Sequence, residues 1–219
     1  RREEEGAGLA EGAGKVASLD IRAMRAPAVG CNVIARKGVH PGPRVVVMAH
    51  IDTKEGTPGA LDNGGGVAVL LLLAELLAGY TGSLGIEIVA MNGEDYYSSP
   101  GQLQYMARNA GRFGEIVLGI NLDGAGYREG ETAYSLYGCP SEVDALAREV
   151  LDAHPGLIEG PPWYQGDHSL LIMNEVPALA LTCERATQVL GEVVHTPRDR
   201  PEVVDVAKLA GVALALRDL

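Results

Sequence analysis

His50 and Asp52 stand at the end of an apolar run, Val45-Val46-Val47-Met48-Ala49, and ten residues after Asp52 comes Asp62, within Gly59-Ala60-Leu61-Asp62-Asn63-Gly64. A buried strand that ends in a histidine and an acid makes little sense as packing alone. It makes good sense as the start of a metal site, where a neutral imidazole supplies a nitrogen ligand. The acid two residues on lies on the same side of the strand and can orient the ring.

More ligands appear at the ends of later apolar runs. Gly85-Ile86-Glu87-Ile88-Val89-Ala90-Met91 ends in Asn92-Gly93-Glu94-Asp95, and the run Glu115 to Leu122 ends in Asp123. Near the C-terminus, Val193-Val194-His195-Thr196-Pro197 puts the fifth and last histidine in a turn before a helix. Open α/β sheets hold their sites at the carboxyl ends of strands. Asp62, Asp95 and Asp123 bring three negative charges, and His50 and His195 bring none as neutral ligands. Two zinc ions bring four positive charges, so the count suits a dinuclear site with about one positive charge left over. Glu94 is not needed as a ligand, and a spare carboxylate beside a metal site is suited to general-base work.

In these pieces the chain resembles the M28 family of zinc peptidases, whose members are mostly aminopeptidases. The matching segments are Ala49-His50-Ile51-Asp52, Gly59-Ala60-Leu61-Asp62-Asn63-Gly64, Asn92-Gly93-Glu94-Asp95, Asn121-Leu122-Asp123, Gly166-Asp167-His168-Ser169 and His195-Thr196-Pro197-Arg198-Asp199. They occur in the family's order from about residue 30 to residue 219, and the short gap between His50 and Asp62 fits this family better than the M20 or M42 peptidases. The resemblance implies that Asp62 bridges two metals, that His50 and Asp123 complete one ion, and that Asp95 and His195 complete the other. It implies Glu94 as the general base, Asp52 as the group holding the His50 ring, and a cis peptide at Asp62–Asn63.

Two positions depart from the family pattern. Glu94-Asp95 stands where two glutamates are usual, and the shorter side chain requires the second metal to sit closer to the backbone or the loop to shift. Both residue types are hard oxygen ligands, so binding is expected to survive. Val194 stands where many members carry an aromatic residue before the last histidine, and Tyr164 and His168 are the candidates to supply what that residue would. His168 is therefore counted with Glu94 and Asp52 among the expected catalytic residues.

Taken singly, each motif has a commoner meaning. His50 reads as a core histidine, Asp62-Asn63-Gly64 as a turn and helix cap, Glu94-Asp95 as a solvated loop and Asp123-Gly124 as a tight turn. Their joint occurrence in order turns the balance to a metal site. His40, between glycines and a proline, reads as an exposed turn residue. His154 reads as a helix-end residue favoured by the dipole. Arg185, Trp163 and the pair Tyr96-Tyr97 read equally well as pocket walls or as packing at loop bases.

The rest of the sequence must position these groups. Strands are expected at 15–22, 31–36, 44–49, 85–91, 116–122, 132–137 and 177–183, and helices at 64–79, 100–110, 141–153, 168–174 and 203–217. The alternation gives an α/β fold, a three-layer sandwich with a central, mostly parallel mixed sheet covered by helices, of the zinc exopeptidase kind. Residues 1–14 are charged and glycine-rich and read as a loose segment or junction, with 15–219 as a single catalytic domain. The helix after Asp62 is apolar nearly all round and is expected to be buried, with glycines 64 to 66 allowing close approach to the strands.

Composition sets outer limits. The 219 residues are 47% hydrophobic with a single Phe, so the core rests on Val, Leu, Ile and Ala. A formal charge of -11 argues against nucleic acid and anionic membrane as partners. The longest apolar run is too short to span a bilayer. Three widely spaced cysteines imply neither a disulfide framework nor a zinc-thiolate site, and two of them in strand-like runs read as buried thiols. No signal peptide is visible, but the chain starts at Arg1, so the expected cytoplasmic location stays open. A homo-oligomer is compatible with the sequence.

The expected chemistry is zinc-assisted hydrolysis of a peptide bond, with release of N-terminal residues favoured. Carboxypeptidase or amidohydrolase action, a single-zinc aminoacyl cyclotransferase and a non-catalytic binding module stay open.

Overall fold

The structure is a computed structural model that describes residues 14, 16, 18, 20, 24, 29–96 and 99–219. Residues 1–13 of the segment expected at 1–14, most of the strand expected at 15–22, and Tyr97 lie outside the described residues. Seven strands form one sheet: β1 (Val33–Lys37), β2 (Arg44–His50), β3 (Gly85–Met91), β4 (Ile116–Leu122), β5 (Thr132–Tyr137), β6 (Leu157–Glu159) and β7 (Ala178–Cys183). Their order is β1-β3-β2-β4-β7-β5-β6. β3, β2, β4 and β7 are mutually parallel, β1 pairs antiparallel with β3, and β5 pairs antiparallel with β7 and parallel with β6. The helices are α1 (Gly65–Leu76), α2 (Pro100–Arg108), α3 (Ser141–Asp152), α4 (His168–Met173), α5 (Ala186–Glu192) and α6 (Val206–Asp218).

Both faces of the sheet are covered, so the central strands are apolar on both sides. In β2, Val47 and Ala49 join a cluster with Val69, Leu70 and Leu73 of α1 and Leu209 and Val212 of α6. Val46 and Met48 point the other way, to Tyr105 of α2 and Leu170 and Leu171 of α4. At the amino end of the sheet, buried Arg44 donates to Glu115 (2.8 Å) and Asn109 (2.9 Å), while the Tyr105 hydroxyl donates to buried Glu87 (2.6 Å). This polar network anchors α2 far from the ligand-bearing edge.

Three expectations need correction. α1 buries one stripe, Gly66, Val69, Leu70 and Leu73, and leaves Leu71 68% exposed, because α6 and the sheet cover only one side of it. Helix α5 and strand β6 were not anticipated: the first is seven residues containing Thr, Val and Gly, and the second is three residues, too short for a period to show. Of the cysteines only Cys183 is buried; Cys31 is exposed and Cys139 partly buried, and all three are free thiols. Among the described residues no helix is long and apolar enough to cross a membrane.

Candidate metal centre

His50 ends β2 opposite Met91 of β3, and the Asp123 amide continues the β4–β7 ladder by donating to Leu181 O (3.0 Å). The carboxyl ends of three adjacent parallel strands therefore deliver His50, the Glu94-Asp95 loop and Asp123 to one edge. Asp62 arrives on the kinked turn Ala60–Gly64 that leads into α1, and the Asp62–Asn63 peptide is cis, as the resemblance implied. Asn63 ties this turn down: its Nδ2 donates to Leu122 O (2.7 Å) and its Oδ1 accepts from Gly66 N (3.1 Å). A side chain at residue 66 would strike Asn63 Oδ1 and approach Leu122 O to 2.9 Å, so glycine is required for this contact. His195 comes from the turn after α5 with a left-handed backbone, φ 60°, uncommon outside glycine.

These five side chains converge. Asp62 Oδ1 lies 3.0 Å from His50 Nε2, and Asp62 Oδ2 lies 3.1 Å from His195 Nε2. Asp123 Oδ1 is 3.7 Å from His50 Nε2, and Asp95 Oδ1 is 2.6 Å from His195 Nε2. Two triads result, His50-Asp62-Asp123 and Asp62-Asp95-His195, with donor atoms in each within 4.8 Å of one another. Glu94 belongs to neither, although its Oε2 is 4.0 Å from His50 Nε2. The buried atoms His50 Nε2 and Asp95 Oδ2 have no hydrogen-bond partner despite these short distances. The donors crowd a common point without the alignment of hydrogen bonds, and a mixed nitrogen and oxygen set around such a point fits a divalent ion, zinc in particular.

The electrostatics agree with that fit. Burial opposes charge on His50, but the facing Asp123 and Asp62 carboxylates outweigh it and push the imidazole up to about 12. Contact with Asp62 raises His195 against the effect of burial. Burial raises Asp62, yet both imidazoles hold it well below the usual carboxylate range. Glu94 is pushed up to about 8, first by burial and then by Asp123, and Asp95 is raised by burial and by Asp62.

Asp52 meets the His50 ring mainly through its backbone. Its carboxylate is 3.8 Å from His50 Nδ1, and the ring nitrogen donates instead to the Asp52 backbone carbonyl (3.0 Å). That bond still places the proton on Nδ1 and leaves Nε2 free as a donor atom. The Asp52 carboxylate accepts from the amides of Gly93 (2.6 Å), Glu94 (3.2 Å) and Asp95 (3.1 Å), and so holds the base-bearing loop.

His168 opens α4. It is fully buried, its Nε2 donates to Trp163 O (2.8 Å), its Nδ1 accepts from Asn121 Nδ2 (3.3 Å), and burial lowers its pKa. Both nitrogens are occupied, and the ring packs edge-on against Trp163 of the cavity wall. Tyr164 is 66% exposed and stacks edge-on against Tyr137. His40 is exposed, and His154 pairs with Asp218 (3.1 Å) beyond α3. Tyr96 is half exposed beneath Lys54 Nζ.

A cavity of about 290 Å³ opens on the centre. Its lining includes Asp62, Glu94, Asp123 and His195 together with the apolar Trp163, Cys183, Ala186, Val189, Leu190 and Val194. Arg185 does not line it and is held by Glu129 (3.0 Å); Arg198 does not line it either. The α5 side of this wall was missed in sequence because α5 itself was. Two further buried acids went without a role: Asp167, pushed up to about 6 by burial with one oxygen unpartnered, and Asp199.

Fold and donor set together define a class, three-layer α/β proteins with a paired metal-ligand cluster at the carboxyl edge of the sheet. The chain belongs to Peptidase family M28, whose model matches residues 32–219. Comparison with curated proteins yields no match. Among solved structures, an aminopeptidase from Aneurinibacillus sp. strain AM-1 aligns at 23% identity and TM-score 0.70, covering 85% of this chain and 46% of the other. A zinc aminopeptidase from Bacillus subtilis aligns at 22% identity and TM-score 0.71, covering 85% and 48%. A glutaminyl cyclase from Porphyromonas gingivalis aligns at 28% identity and TM-score 0.68, covering 84% and 74%. The two aminopeptidase alignments establish likeness of fold, and the chain spans less than half the length of those two proteins.

Proposed function

We propose that the chain is a zinc-dependent aminopeptidase that holds two zinc ions and releases residues from the N-terminus of peptides. The observation that carries this reading is the division of Asp62 between His50 and His195, each joined by its own further carboxylate, with Glu94 left outside both triads. His50, Asp62 and Asp123 would hold one ion and Asp62, Asp95 and His195 the other. Zinc in such a site supplies Lewis acidity that polarises a carbonyl oxygen and makes water a nucleophile near neutral pH.

The chain's own residues do the rest. Glu94 accepts a proton as the water oxygen bonds to the carbonyl carbon, then delivers it to the amine nitrogen as the C–N bond breaks. Its Oε2 lies 4.0 Å from His50 Nε2, beside both triads and within reach of a water held there. The free amine of a substrate is a cation, and the cavity offers it Glu94 and Asp123, while among the described residues no Lys or Arg lines the walls. This favours the amino end over the carboxyl end of a peptide. The apolar wall from Ala186 to Val194 suits an aliphatic first side chain.

The likeness to a glutaminyl cyclase, which extends over 74% of that protein, favours a second reading: an aminoacyl cyclotransferase with one zinc. Paired peptides with free and acetylated N-termini, including one that begins with glutamine, separate the two. Stepwise shortening of only the free peptides, with two zincs per chain by elemental analysis, is the expected result. Loss of ammonia from the glutamine peptide with its length intact would replace the aminopeptidase by the cyclotransferase. Cleavage regardless of acetylation would refute both.

A further inference from the structure

Two loops of the centre are held by carboxylates that belong to other loops of the centre. Asp52, two residues after His50, grips the amides of residues 93 to 95. Asp199, four residues after His195, grips the turn that carries Asp62. Its Oδ1 accepts from Leu61 N (2.6 Å), its Oδ2 from Asp62 N (3.1 Å), and its backbone carbonyl from Ala60 N (3.3 Å). Asp199 is fully buried, and the first of these bonds joins residues 138 apart in sequence.

We infer that Asp199 is a positioning residue for the metal pair, fixing the Asp62 turn against the His195 turn. The inference rests on the reading that the centre holds zinc. On its own side, Asp199 N donates to Thr196 O (3.2 Å) and the Thr196 hydroxyl to Val193 O (2.6 Å), so the His195 turn is closed around it. On the far side, the Asp62 oxygens lie 3.0 Å and 3.1 Å from the two imidazoles. Ligands must be held to within about 0.5 Å of a working geometry. Any slip of the Leu61–Asp62 peptide moves an oxygen at both halves of the centre. Amide donors to a carboxylate form charge-assisted bonds. Asparagine at 199 would turn an NH2 group toward one of the two amides and set donor against donor.

The test compares the whole chain with D199N and D199E, using zinc titration against a chromophoric chelator and urea unfolding of the metal-free proteins. The expected result is zinc affinity at least about tenfold weaker in folded D199N, the usual scale for groups that orient ligands. D199E keeps the charge but displaces it by one methylene and is expected to lose affinity as well. A residue that only stabilises the fold would lower the unfolding midpoint and leave the affinity of the folded protein at the wild-type value, and that result overturns the inference. If D199N does not fold, D199E decides, with unchanged affinity again overturning it. Weakened affinity beside a wild-type chain that binds zinc but cleaves nothing supports the positioning role and removes only the peptidase reading. A wild-type chain that takes up no zinc removes both.

Discussion

Replacing Glu94 with glutamine exchanges one oxygen for nitrogen and leaves all five donors of the two triads in place. E94Q is expected to keep its fold and zinc while kcat falls roughly 10²–10⁴-fold, the usual contribution of a general base; near wild-type turnover would remove the base assignment. The imidazoles give a second prediction. The facing carboxylates raise both His50 and His195 in the metal-free centre, so protons compete with zinc for the two imidazoles. Zinc affinity should therefore rise as pH increases from about 6 to about 8, with protons released on binding. Calorimetric titration in buffers of different ionisation enthalpy checks this, and an affinity flat in pH would contradict it. At this scale the sequence was a good guide to the convergent side chains, because most lie at or just beyond the end of an apolar run. It was a poor guide to the partners of Asp52 and Asp199, because those partners are backbone amides, which every residue but proline carries alike.

Elements decide how firmly those residues are held. Gly66 lets α1 start against Asn63 and Leu122, and G66A is expected to lose about 1–3 kcal/mol of stability to overpacking, read from the urea midpoint. A smaller loss is expected at the start of α6, where Asp205 Oδ1 accepts from Ala207 N (2.9 Å). D205A should cost about 1 kcal/mol and leave activity unchanged. The same elements mark where periodicity informs. The strands at 85–91, 116–122 and 132–137 match their expected bounds, since five or more alternating or apolar residues between turn signals leave little freedom. α5 carries part of the cavity wall yet is a short segment of modest propensity, held by what it packs against.

For the whole molecule, the parallel centre of the sheet was legible from alternating strands and helices, but the order β1-β3-β2-β4-β7-β5-β6 was not. Which strand lies beside which depends on contacts distant in sequence, and the antiparallel β5 at β7 leaves no local signature. Asp62, Asp95 and Asp123 crowd one edge of this sheet in a chain of net charge -11, so cation binding and folding should be linked. Zinc at 100 times its Kd is expected to add about 2.7 kcal/mol of stability. Thermal unfolding with zinc and with a chelator tests this, and equal Tm values would refute the linkage.

On the proposed two-zinc reading, one carboxylate shared between the ions makes the halves of the centre unequal in time even where they are similar in composition. The first cation to arrive draws charge from Asp62 and leaves a positive neighbour, so the second meets a poorer ligand and a repulsion. Filling is then anticooperative, and by reciprocity each ion loosens the other by the same factor. Between the two steps lies a range of zinc concentration in which the half-loaded chain predominates. Within that range the supply of metal, and not of substrate, would determine how much fully loaded protein is present.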